Sequence, residues 1–162
     1  TGSELRLADM EDGVYQLKSA IEAHKEPYDY IILDCPPSLS LLTLNGLTAA
    51  TDLIIPVQCE YYALEGISAI MQTIERVRTS TNSELQLLGV LRTMYDRRNS
   101  LAQQVSKELE EHFGEQVFKT IIPRNVRLAE APSFGEPINH YASLSKGARA
   151  YDKLAREVVR RG

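Results

Sequence analysis

No run of apolar residues in this 162-residue chain approaches the ~20 needed to cross a bilayer, and its first residues lack the basic-then-apolar order of a secretion signal. Cysteine is scarce: Cys35 and Cys59 have no CxxC spacing and lie among strand-like residues, which predicts buried reduced thiols and a cytoplasmic setting. His24, His112 and His140 stand too far apart in sequence for metal-ligand spacing, and no Ser/His/Asp or Cys/His arrangement can be argued. The nine glycines are scattered, and none builds a Gly-rich loop ending in Lys-Thr or Lys-Ser. Ser145-Lys146-Gly147 has neither the glycine spacing nor a preceding strand. Internal repeats, low-complexity stretches and dividing linkers are also lacking, so residues 1–162 are expected to form a single domain.

Charge is uneven. The net value of −4 argues against a protein that coats nucleic acid by bulk charge. Residues 1–90, however, hold 5 Lys/Arg against 13 Asp/Glu, and residues 91–162 hold 13 against 9. A basic second half on an acidic protein fits a local anion-binding face, although solvated helix faces produce the same count.

Four apolar runs read as buried strands: Tyr28 to Leu33, Asp52 to Val57, Leu85 to Leu91 and Val117 to Ile122. Helix-period segments lie between them. Val14, Leu17 and Ile21 share one stripe, as do Leu64, Ile67, Met71, Ile74 and Val77. Leu101, Val105, Leu109 and Phe113 form another, with Gly114 as its stop. Ser145 is the expected N-cap of a last helix that turns Tyr151, Leu154, Ala155 and Val158 inward. Alternation of strand and helix predicts an α/β fold, with a parallel sheet in three layers and helices on both faces. Pro123 to Ala142, with three prolines, is too long for an idle connection and is expected to be a functional loop.

In open α/β sheets, ligands bind outside the carboxyl ends of the strands. The first run is followed by Asp34-Cys35-Pro36-Pro37-Ser38, where a carboxylate could support Mg²⁺ near phosphates or could serve as a helix cap or turn residue. The third is followed by Arg92-Thr93-Met94-Tyr95-Asp96-Arg97-Arg98, the fourth by Pro123-Arg124-Asn125-Val126-Arg127. Arginines mixed with amide, hydroxyl and thioether groups suit a planar base with phosphate nearby, and a pair of solvated turns is the alternative.

YDYIILDCPPSLSLLTLNGL, LIIPVQCEYYALEG, GVLRTMYDRR and IIPRNVRLAEAPSFGEPI together resemble the ParA/Soj partitioning ATPases of chromosomes and plasmids, in family order and from about Glu4 to Arg161. The resemblance implies a deviant-Walker, ParA/MinD-like P-loop fold, incomplete at its N-terminus. Asp34 matches the residue that supports Mg²⁺ through water, and Cys35, Pro36 and Pro37 belong to the adjoining switch loop. Met94, Pro123 and Asn125 match residues that contact adenine. Arg98 and Arg127 match arginines with which the ATP-bound homodimer holds DNA without reading sequence. ATP, Mg²⁺, non-specific DNA and a ParB-type protein are the implied cofactors and partners, at the nucleoid and away from membranes.

Family members also carry a GKGGVGKT-like loop and an Asp-rich switch, which these 162 residues lack. The chain is therefore expected to be a fragment with no catalytic residue of its own, binding no nucleotide and hydrolysing no ATP by itself. Without the phosphate-loop strand, expected between the runs ending at Asp34 and near Val57, the sheet should show unpaired edges. Two other readings remain open: a non-catalytic interaction module on the same fold, and a MinD-like membrane-associated ATPase. The short aliphatic stripe of Tyr151 to Arg161 weakens the latter.

Overall fold

The computed structural model of the chain describes residues 2–36, 38 and 40–162. In chain order the elements are α1 (Gly2–Ala8), a 3₁₀ turn (Gly13–Tyr15), α2 (Gln16–Glu22), α3 (Leu41–Ala49), β1 (Asp52–Gln58), α4 (Ala63–Ser80) and β2 (Gln86–Thr93). They are followed by α5 (Ser100–Phe113), the short helices α6 (Val126–Glu130) and α7 (Ile138–Tyr141), and α8 (Lys146–Arg161). β1 and β2 are neighbours in a parallel sheet. The α/β class with a parallel sheet and helices is as the sequence predicts.

The chain forms two compact units: residues 1–53 with 70–86, and residues 54–69 with 87–162. In the first, polar side chains hold α3 in place. Asn45, only 3% exposed, donates through Nδ2 to the carbonyls of Gly13 (2.8 Å) and Leu41 (3.1 Å) and accepts the Leu17 amide at 3.1 Å. Asn82 donates to the carbonyls of Leu47 and Ala50, closing the far end of α3, and Thr48 shares a 3.0 Å hydrogen bond with Thr81. Thr48 and Asn82 are buried too, and each finds a partner, as a buried polar group must.

The second unit centres on Leu91, Phe118, Ile122 and Ala150, with Ile54, Leu88, Leu128, Leu154 and Val158 packed against them. The segment expected as a fourth strand, Val117 to Ile122, is not a continuous one. It runs parallel to β2 through bridges of Val117 with Val90 and Pro123 with Tyr95, but departs from it between. The cause is in α8: Glu157 accepts the amides of Lys119 (2.8 Å) and Thr120 (2.9 Å). Arg161 donates to the Leu88 and Val117 carbonyls and to Glu157, with its guanidinium 4.2 Å above the Phe118 ring. The buried face of α8 therefore includes Glu157 (6% exposed), while Tyr151 and Ala155, expected inward, face solvent. Apolar periodicity missed this because the anchoring groups are ionic.

Tyr28 to Leu33 also differs from expectation. It belongs to no strand, and Ile32 is 90% exposed. A strand exists only through its ladder partner, and among the described residues none lies beside this run. Cys35 is exposed as well, whereas Cys59 is buried as expected.

Candidate functional site

β2 ends in a turn at Met94, whose φ of 51° places a side-chain-bearing residue in left-handed backbone. Such strain persists only where neighbouring structure imposes it. Here the Tyr95 amide donates to the Ile122 carbonyl at 3.1 Å, and the Arg124 amide donates to the Tyr95 carbonyl at 3.0 Å. The loops after β2 and after Ile122 are thus sewn together by backbone. Met94, Pro123 and Asn125 come together in the second unit, with Met94 exposed and the other two half-buried.

Asn125 is the N-cap of α6, accepting the Arg127 amide at 2.9 Å. Arg124, Asn125, Arg127, Leu144, Ser145 and Lys146 border an open groove of about 600 Å³. Arg127 is exposed and donates to Glu130 at 2.9 Å; the Tyr141 hydroxyl donates to the same carboxylate oxygen at 3.1 Å. The hydrogen bonds to Glu130 and Tyr141 hold the guanidinium above its usual pKa, so its charge is permanent. Arg98 is exposed in the turn before α5, its amide donating to Asp96 Oδ1 at 2.9 Å.

Arg92, next to last in β2, differs from the arginines of these loops. It is 4% exposed and donates to Ser106, Glu110 and the Phe118 carbonyl, so it braces α5 against the sheet instead of facing a ligand.

Asp34 belongs to the first unit and is exposed, at the end of the Tyr28–Leu33 run and in no strand. Cys35 and Pro36 follow it, also exposed; Pro37, the third residue of the expected switch loop, lies outside the described residues. Partial burial of its sulfur and the neighbouring Asp34 charge raise the Cys35 thiol pKa, which keeps it protonated.

Residues 1–87 match the family model of the AAA domain. The chain is 51% identical over 161 residues to the chromosome-partitioning ATPase Soj of Treponema pallidum, an alignment covering 99% of this chain and 64% of that protein. Against the chromosome partitioning protein ParA of Caulobacter vibrioides it is 51% identical over 163 residues, covering 99% and 61%. The chain belongs to the ParA/Soj family.

This ParA/Soj chain therefore spans less than two thirds of the length of these curated relatives. Among solved structures it is similar to cobyrinic acid a,c-diamide synthase from Mycobacterium smegmatis with bound ADP and magnesium. The TM-score is 0.79 at 37% identity, covering 98% of this chain and 58% of that one. The fold is that of the ParA/MinD-like P-loop ATPases. Among the described residues no helix is long and apolar enough to cross a membrane.

Sequence reasoning missed Thr43 and Asn45 of the ParA/Soj chain, both on α3 just after the Asp34 turn. A signal was present: an Asn inside an apolar helical run is unfavourable unless its amide is bonded.

Proposed function

We propose that this chain supplies the base-contacting and DNA-gripping part of an ATP-dependent partitioning switch, acting at the nucleoid in the cytoplasm. The observation that carries the reading is the backbone stitching of the Met94 turn to the Pro123–Asn125 turn at the carboxyl end of β2. Such a rim is where α/β sheets receive ligands, and here it offers a thioether, a proline ring and a side-chain amide to a flat base. Arg98 and Arg127, exposed on the same unit, supply positive charge of the kind that neutralises DNA phosphates without reading sequence.

ATP binding by the whole protein would assemble the homodimer that holds DNA, and a ParB-type partner would trigger hydrolysis and release. The phosphate loop is not among these 162 residues. What the chain offers the metal is Asp34, and among the described residues no cluster of three or more His, Cys, Asp or Glu competes for it. One hard carboxylate, completed by phosphate oxygens and water, is a donor set that Mg²⁺ accepts, so Asp34 fits that role. When bound, the ion would neutralise phosphate charge.

The test uses the chain completed on its N-terminal side to the length of its relatives, carrying Arg98→Ala or Arg127→Ala. Each substitution is expected to weaken ATP-dependent DNA retention at low salt and to reduce the log–log salt slope by about 1. Unchanged retention in both variants refutes the DNA role of these arginines.

A further inference from the structure

The turn that carries Asp34 is tied to α3 by a side chain to which no role has been given. Thr43 faces back along its own helix: its amide donates to Ser40 Oγ at 3.4 Å, completing the N-cap, and its hydroxyl donates to the Ser38 carbonyl at 2.7 Å. The Ser40 amide donates to the same carbonyl at 2.9 Å. Upstream, Cys35 Sγ lies against Gly46, where an added Cβ would stand 2.7 Å from the sulfur. The turn therefore meets α3 at two places, Thr43 through Ser38, four residues after Asp34, and Gly46 through Cys35, one residue after it. α3 itself is immobilised by Asn45, whose buried amide grips the backbones of Gly13 and Leu17.

We propose that Thr43 is a positioning residue for the Asp34 carboxylate, fixing the turn so that the carboxylate is already aimed when Mg²⁺ and nucleotide arrive. The inference rests on the reading of Asp34 as the Mg²⁺ support. Without a tether, an exposed turn samples many backbone states, and ordering it on binding costs affinity. The hydroxyl holds one carbonyl of the turn to a helix that is itself fixed, so that ordering is done before the ion binds. Thr43 acts through the backbone and need not touch the ion. Groups hydrogen-bonded directly to a metal ligand are commonly worth about 10- to 100-fold in metal affinity, and a tether through the backbone is expected at the lower end of that range.

The experiment follows binding of a fluorescent ADP analogue to the completed chain as Mg²⁺ is titrated, in wild type, Thr43→Val, Thr43→Ser and Asp34→Asn. Thr43→Val keeps the β-branch and removes the donor; it is expected to raise the half-saturating Mg²⁺ concentration by about tenfold. Thr43→Ser, which keeps the hydroxyl, is expected to stay within about twofold of wild type, and thermal midpoints are measured for all four proteins. If Asp34→Asn shifts the Mg²⁺ midpoint and Thr43→Val does not, positioning by Thr43 is refuted and the Asp34 reading stands. Equal weakening of the Val and Ser variants with lowered thermal midpoints reduces Thr43 to a residue that only stabilises the fold and also refutes the proposal. Asp34→Asn with an unmoved midpoint removes the reading of Asp34 itself, and the proposal with it.

Discussion

Single positions in the second unit are fixed by close approach. At Gly89 in β2, an added Cβ would meet the Gln116 carbonyl oxygen at 2.6 Å and the Phe118 ring at 2.7 Å. Neither can yield, because Phe118 is fully buried and its amide donates to Val90. Gly89→Ala is therefore expected to lower stability by about 1–3 kcal/mol in denaturant unfolding, although alanine is no worse a strand residue than glycine. Arg92 shows the same dependence on surroundings in the opposite direction. In the sequence it stands in a loop with arginines that look like ligand contacts, and only its burial beside Ser106, Glu110 and Phe118 reveals a brace. Residue type suggested a charge for a ligand; depth decided otherwise.

Between elements, α8 makes the decisive tie. Glu157 and Arg161 replace ladder hydrogen bonds with side-chain ones, joining the helix to Lys119, Thr120, Val117 and Leu88. Glu157→Ala leaves two amides and a guanidinium without their acceptor and is expected to cost about 3 kcal/mol, read by calorimetry; Glu157→Gln, which can still accept, is expected to cost less. Burial pushes the Glu157 carboxyl up, but hydrogen bonds from Thr120, Lys119 and Arg161 outweigh it and hold the group below its ordinary value of 4.5. A carboxyl with a lowered folded-state pKa stabilises fully above that value, and its contribution is lost as pH falls below it. Wild type is thus expected to lose its advantage over Glu157→Gln as pH drops through and below 4.5. This contact also marks the limit of what the sequence disclosed. β1 and β2 were legible as apolar runs, and α4 because its apolar stripe matches its buried face. On α5, Val105 and Leu109 are buried as expected, but Leu101 is exposed and Ala102 and Ser106 take its place; Ser145 and Gly114 stand where caps were expected. The inward face of α8 was not legible, since Glu157 and Arg161 count as solvent-facing in any apolar periodicity. Tyr28 to Leu33 reads as a strand by composition, but a ladder is a property of two segments and one segment cannot announce it. The site followed the same division. The loops after β2 and Ile122 were found by the strand-end rule, whereas Thr43 depends on a hydrogen bond to a turn whose path no periodicity predicts.

Across the whole chain, order is unevenly distributed. The segments around β2 and residues 117–123 pair with each other and bury Leu91, Phe118 and Ile122, while Tyr28, Tyr30, Ile31 and Ile32 stay exposed. Hydrogen exchange followed by mass spectrometry is expected to find strong protection over residues 88–93 and fast exchange over residues 28–32. Protection of the latter equal to that of β2 would mean that the run has found a partner strand. The α8 anchor has a consequence for association. By occupying the amides of Lys119 and Thr120 and the carbonyl of Val117, it denies an incoming strand its docking groups along that flank. Among the described residues β1 pairs only with β2, so strand addition by another molecule is left to the outer edge of β1 and to the exposed Tyr30–Ile32 run, and charged substitutions at Ile31 or Ile32 are where solubility engineering should begin.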